Sequence, residues 1–365
     1  MHKGHKKQLD TVRRQDPAGA IVCLMSGNFV QRGAPAVFNK ALRAKAAVLA
    51  GADLVLELPV TGALSSAEGF AATGVEILSR FCHRLSFGAE NADHAALMST
   101  AEALLSPMFP DCLRLQLDQG LSFPAARQAA LADMGADASL LSLPNNILAV
   151  EYCKAILSQR SRMIPAPIVR QGSYHDTAPD AENPSATAVR ALMEKGQAWD
   201  PYIPNEAKYA LENATVHTLA YGEKAILGKL RTMTDAEFES LPYGSEGLWR
   251  KLMHAARKEA TLEAIIAATK SKRYTRTRID RMILCAFLGI TEEMLSAPAP
   301  YARVLALNDK GREVLKQARN TGNFPNIGEK LDDPYQALEN RCDQLYGLFA
   351  KDPESAPEYR IFYTN

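Results

Sequence analysis

Three short apolar runs, each followed by a helix-forming stretch or a glycine, constrain the N-terminal half of this chain more than any other feature. Residues 20–25 (AIVCLM) lead into Ser26-Gly27-Asn28 and then into residues 38–50 (FNKALRAKAAVLA), which Gly51 stops. Residues 53–57 (DLVLE) are closed by Pro59 and followed by a helical stretch over 66–80, with Phe70, Val75, Ile77 and Leu78 among its apolar positions. Residues 84–87 (RLSF) end at Gly88, and residues 5–15 read as a helix ahead of the first run. A short apolar run bounded by turn signals fits a buried strand. Strands that alternate with helices build a parallel sheet of doubly wound type. Such a sheet binds ligands beyond the carboxyl ends of its strands. A site is therefore expected at Ser26-Gly27-Asn28, Glu57-Leu58-Pro59 and Gly88-Ala89-Glu90.

Residues 91–160 read as mostly helical, and residues 163–170 (MIPAPIVR) as another strand whose prolines suit an edge or an irregular start. From about residue 205 the pattern is helical with no clear alternation, so the domain change is placed near Tyr202-Ile203-Pro204. The expected division is 1–203 and 204–365, within the two or three domains that 365 residues allow. Net charge is only +1, so a nucleic-acid surface has to come from local clustering. The six cysteines are scattered without a C-x-x-C, as buried thiols of a reducing cytosol would be. No apolar stretch is long enough to span a bilayer, and the polar start does not resemble a signal peptide. A cytoplasmic location is expected.

Two motifs carry chemistry. In PSATAVR, Ser185 and Thr187 are good N-terminal helix residues, with Arg190 one turn on. A helix N-terminus suits phosphate through its unpaired amides and positive dipole, and two hydroxyls with a guanidinium strengthen that site. By itself this is more often a plain capped helix. At the start, His2 and His5 bracket Lys3 and Gly4. Histidines three apart on a first helical turn can donate to one anion, and the glycine lets backbone approach it. No third ligand at a recognisable spacing supports a metal. Neither a P-loop nor a G-x-G-x-x-G fingerprint is present.

H-x-G-H followed late in the same domain by S-x-T-x-x-R resembles the HIGH-motif nucleotidyltransferase superfamily. The resemblance narrows through residues 25–59, SSAEGFA (65–71), SFGAE (86–90), PNNILAVEY (144–152), VRQGSYHD (169–176) and SATAVR (185–190), with KRYTRTRIDR (272–281) and RVLALNDKGREVL (303–315) further on. Together these resemble the bacterial tRNA(Met) cytidine acetate ligase family. The resemblance implies an α/β fold: a Rossmann-like nucleotidyltransferase domain with a parallel sheet, joined to a mainly helical, tRNA-binding C-terminal domain. It implies that acetate and ATP, with Mg2+, give acetyl-adenylate and pyrophosphate. The acetyl group then passes to the wobble cytidine of elongator tRNA(Met). His2 and His5 would stabilise charge at the α-phosphate, with Gly4 beside them, and Ser185, Thr187 and Arg190 would clamp the outer phosphates. Acetate is already ionised at neutral pH, so no general base is called for. Gly88, Asn145, Asn146 and Arg170 would complete the nucleotide site, with helix capping as an equal alternative for the two asparagines.

Ala149 stands where the family has glycine, and QGSYHD replaces a more glycine-rich stretch. The family also has a strand and an E-[YF]-N-P-[FLM] segment before H-x-G-H. The resemblance thus implies that Met1 is an internal methionine and that roughly ten residues, a strand with its turn, precede it. In the C-terminal half, Lys270, Lys272, Arg273, Arg276, Arg278 and Arg281 face a single acid, Asp280. Such a run is usually a solvated helix face; in this family context it reads as tRNA backbone contact, with Tyr274 available to stack on a base. Gln31-Arg32-Gly33, Lys40 and Arg43 would extend that surface or approach the acceptor cytidine. Two other readings are a small-molecule nucleotidyltransferase of the same superfamily and a non-catalytic RNA-binding remnant.

Overall fold

The computed structural model describes residues 1–170 and 184–365. The first expected strand is β1 (Val22–Ser26). A hairpin of two two-residue strands follows, β2 (Phe29–Val30) and β3 (Ala34–Pro35). The next expected strands are β4 (Leu54–Leu58), β5 (Arg84–Ala89) and β6 (Ile164–Val169). Two more come from the C-terminal half, β7 (Val304–Asn308) and β8 (Phe362–Thr364).

The strands form a sheet of order β1-β4-β7-β8 and a separate parallel pair, β5-β6. β1 runs parallel to β4, from Val22 opposite Leu54 to Ser26 opposite Leu58. All five residues of β4 are buried, which is why LVLEL reads as a continuous apolar run rather than an alternating one. β6 keeps Pro165 and Pro167 because, among the described residues, it has a partner on one side only. Among the described residues β1 and β5 each end their sheet, and both line one cavity of about 1030 Å³.

The expected boundary near residue 204 does not separate strands from helices. β7 pairs antiparallel with β4, and β8 pairs parallel with β7, so the C-terminal half completes the first sheet. Asp53 fixes this return: it accepts from Arg13 Nη2 at 2.5 Å, Ile21 N at 2.7 Å and Asn308 Nδ2 at 2.9 Å. The helical remainder has its own core around Ile226, Leu252, Ile265, Ile279 and Met282, and Phe29 from the hairpin inserts into it.

Candidate active site

The helix Lys3–Gln15 starts on a reciprocal cap made by two imidazoles. His2 Nδ1 accepts from Gly4 N at 3.1 Å, and His5 Nδ1 accepts from His2 N at 3.4 Å. The ring centroids lie 3.9 Å apart. Because each Nδ1 is an acceptor, each neutral ring carries its proton on Nε2 and has one N–H left to donate. A Cβ on Gly4 would stand 2.9 Å from His2 Cε1, so the paired rings need glycine there.

Both imidazoliums are disfavoured. His2 is buried, and loss of solvent, then His5 and the guanidiniums of Arg170 and Arg190, push its pKa well below the ordinary value. His5 keeps an exposed edge within the cleft; desolvation lowers it first, and Arg170 and Arg190 lower it further. The direction at His5 does not depend on how much of the ring is covered, because each of these charged neighbours is a cation.

Ser185 caps the helix Ala186–Glu194 by accepting from Ala188 N at 3.0 Å. Thr187 Oγ1 accepts from Arg190 Nη2 at 3.0 Å. Arg190 lines the same cavity as His2 and His5, and Pro184 O would lie 3.7 Å from a Cβ on Gly4. The two motifs, about 180 residues apart in the chain, therefore meet at one cleft with a cationic wall.

The asparagine pair divides its work. Asn145 Oδ1 accepts from Arg170 Nη1 at 3.1 Å, and its Nδ2 donates to Glu90 Oε1 at 2.6 Å. Asn146 is buried and turned away, accepting from Asn91 N at 2.9 Å. Neither side chain caps the helix Pro144–Ser158. Glu90 takes that place: its carboxylate accepts from Asn145 N at 3.2 Å and Asn146 N at 2.7 Å, where the helix dipole favours an anion. The sequence reading missed Glu90 as a partner, although it ends the SFGAE block. Gly88 sits opposite Ile168 in the β5-β6 pair, and a Cβ there would approach Arg170 Cβ to 4.0 Å. The expected stretch after Arg170, QGSYHD, lies outside the described residues from Gln171 on.

In the basic segment one expectation is corrected, and the arginines have partners within the protein. Tyr274 is not available to stack: it is 8% exposed, and its hydroxyl donates to Glu246 O at 2.5 Å. Arg276 is held by Glu263, through two hydrogen bonds of 2.7 and 2.8 Å, and by Asp280 at 3.2 Å. Arg278 donates to Tyr243 O at 3.0 Å and Ser245 Oγ at 2.8 Å, and Arg281 lies 5.1 Å over the Tyr243 ring. These arginines hold a turn in which Tyr243 and Glu246 have positive φ, at 68° and 60°. Lys270, Lys272 and Arg273 are exposed.

Lys40 is likewise not a surface residue, and Arg43 is half-buried on the wall of the cavity. Lys40 is 2% exposed, between Glu57 Oε2 at 3.1 Å and Asp343 Oδ2 at 3.0 Å. Burial lifts the Glu57 carboxyl to about 7 against the pull of Lys40. Arg43 donates to the carbonyls of Phe38 at 2.8 Å and Ser26 at 3.0 Å.

The sequence model of the HIGH Nucleotidyl Transferase family matches residues 1–359. A tRNA(Met) cytidine acetate ligase of Clostridium acetobutylicum is 32% identical, over 98% of this chain and 95% of its own. That of Caldanaerobacter subterraneus subsp. tengcongensis is 34% identical over 100% and 93%. The crystal structure of apo Thermotoga maritima TmcAL superposes with a TM-score of 0.91 at 29% identity, covering 100% of this chain and 97% of that one. A second form of the same protein, bound with alpha-thio ATP, gives 0.88 at 28% identity. The chain belongs to the HIGH nucleotidyl transferase family and, within it, to the tRNA(Met) cytidine acetate ligases.

Proposed function

We propose that this protein is an ATP-dependent acetate ligase that acetylates the wobble cytidine of elongator tRNA(Met). The observation that carries the reading is the convergence of His2, His5 and Arg190 on one cavity, with Arg170 acting on the same rings. In the first step an acetate oxygen attacks the α-phosphorus, the bond to the β-phosphate oxygen breaks, and pyrophosphate leaves with that electron pair. The Nε2–H groups of His2 and His5 meet charge developing at the α-phosphate, while Ser185, Thr187 and Arg190 hold the departing phosphates. Donors fixed before reaction cost no reorganisation, which makes them the main catalytic resource for this step. Gly88, Asn145 and Arg170 lie along the nucleotide, and Glu90 holds Asn145 in place.

In the second step the exocyclic amine of the cytidine forms a C–N bond to the acetyl carbon. The C–O bond to phosphate breaks with its electrons going to AMP, and the amine proton passes to solvent. Mg2+ bound with the nucleotide would supply neutralisation of phosphate charge. The described residues offer no group of three His, Cys, Asp or Glu to cage it, and their donor set suits phosphate instead. No described helix is long and apolar enough to cross a membrane; a tRNA substrate supports a cytoplasmic location.

The direct test is incubation with acetate, ATP and elongator tRNA(Met), followed by nucleoside digestion and mass analysis. N(4)-acetylcytidine is expected. Its absence alongside ATP consumption with a phosphorylated small molecule would favour a different transferase.

A further inference from the structure

We propose that the β2-β3 hairpin serves the acetyl-transfer step, with Gly33 as a positioning residue that seats it and Arg32 as the side chain it presents to the acceptor pyrimidine. The inference rests on the function proposed above.

Two two-residue strands are not stable on their own in water. This hairpin is held by three anchors, all from the C-terminal half. Phe29 is 1% exposed and packs edge-on against Tyr346 and Phe349, with centroids 6.0 and 5.8 Å away. Asn28 Nδ2, at its entry, donates to Asp343 Oδ1 at 2.9 Å and to the Tyr359 hydroxyl at 2.8 Å. Gly33, at its tip, lies on the backbone of the helix Arg276–Leu288: an added Cβ would stand 2.5 Å from both Arg281 N and Asp280 C. The loop Gln31-Arg32-Gly33 closes with Gly33 N donating to Val30 O at 2.9 Å, and Gly33 has φ +81°, the left-handed conformation a three-residue hairpin loop requires at that position. Gly33 therefore meets two demands, one of conformation and one of space.

The catalytic half grips the base of the same hairpin. Lys40 N donates to Asn28 Oδ1 at 2.8 Å, and Arg43 donates to the carbonyls of Ser26 and Gly27 just before it. The hairpin is thus built into both halves. Its tip rests on the helix that follows the exposed segment Lys270, Lys272 and Arg273, while Arg32 lines the cavity shared with His2, His5 and Arg190. A guanidinium plane offers a pyrimidine a stacking face and in-plane donors. RNA held at the basic segment would reach the cavity past this side chain.

The test separates the two half-reactions and includes a control. Arg32→Ala removes the presented group and leaves the seat intact. Gly33→Ala disturbs the seat. Gly120→Ala imposes nearly the same strain, at φ +84°, where an added Cβ meets nothing within 4 Å. For Arg32→Ala we expect tRNA-free pyrophosphate release within about twofold of the native protein, while the acetyl-transfer rate at saturating tRNA falls about tenfold or more, the scale of removing one transition-state donor. Gly33→Ala should show the same split, with kcat for transfer falling rather than KM for tRNA rising, and Gly120→Ala should show no change. Unchanged transfer in Arg32→Ala overturns the proposal, as does an equal fall of both half-reactions in that variant. Failure of pyrophosphate release in the native protein would instead overturn the function on which it rests.

Discussion

In the N-terminal cleft, His2, His5 and Arg190 line one cavity, and Arg170 acts on the same rings; in the 270–281 segment, Arg276, Arg278 and Arg281 each hold partners within the protein. Along the sequence the second region is the more conspicuously basic. Yet its arginines pair with Glu263 and Asp280, bond to carbonyls in the 243–245 turn, or lie over a tyrosine; Arg276 is exposed but held by two carboxylates, and Lys270, Lys272 and Arg273 are exposed beside it. The cleft instead keeps neutral imidazoles beside guanidiniums, an arrangement that suits an incoming polyanion. A charge run therefore indicates a binding surface only after its internal partners are subtracted. A sparse motif whose donors point into a cavity can be the stronger site.

The widest separation between the regions should come from removing a cleft donor. His5→Ala or Arg190→Ala should slow tRNA-free acetyl-adenylate formation on the order of a hundredfold or more, because each donor acts on charge developing in the transition state. Pyrophosphate release would measure it, and a native rate in either variant would break the comparison.

Next in size is the outward part of the basic segment. Charge reversal at Lys270, Lys272 and Arg273 together should weaken tRNA binding and flatten its salt dependence by about one log–log unit for each phosphate left without its cation. Acetate activation should stay intact, and binding isotherms at several salt concentrations would show the slope. The inward part should behave differently. Arg278→Ala should cost about 1–3 kcal/mol of folding stability, the usual scale for hydrogen bonds from a charged donor, with tRNA affinity less affected than in the triple variant. Thermal unfolding beside a binding isotherm would sort the two. A large affinity loss with no stability loss would reverse the assignment of Arg278.

The smallest effect expected is one of pH. A bound polyphosphate opposes the cationic neighbours of His2 and His5 and raises both imidazoles above their free-protein values. Nucleotide binding should therefore take up protons and tighten, by less than about tenfold, as pH falls from 8 toward 6. Calorimetry in buffers of different ionisation heat would detect the uptake. In the free protein the sign is opposite. These pKa values lie below the unfolded value of about 6.5, so stability is fully present above that pH and is lost as pH falls toward the folded values.

Much of the sheet was legible because β1, β4, β5 and β6 are apolar runs with turn residues at their ends. β7 was not, although residues 303–315 repeat the same run-then-helix pattern, because its partner β4 lies some 250 residues earlier in the chain and no second unit follows. The hairpin strands, two residues each, are too short for any period to register. Both cleft motifs were legible as local spacings, while the different partners of Asn145 and Asn146 depended on Glu90, Asn91 and Arg170, which adjoin them only in space. The burial of Tyr274 and Lys40 was hidden for a similar reason. Their partners, Glu246, Glu57 and Asp343, are distant in sequence.

Activation of acetate on ATP in the cleft, before any RNA is bound, is the central claim, and acetate-dependent exchange of labelled pyrophosphate into ATP, without tRNA, measures that step alone. Exchange is expected to require acetate and to fall about a hundredfold in Arg190→Ala. Exchange that is absent with acetate, or that survives unchanged in Arg190→Ala, would contradict it.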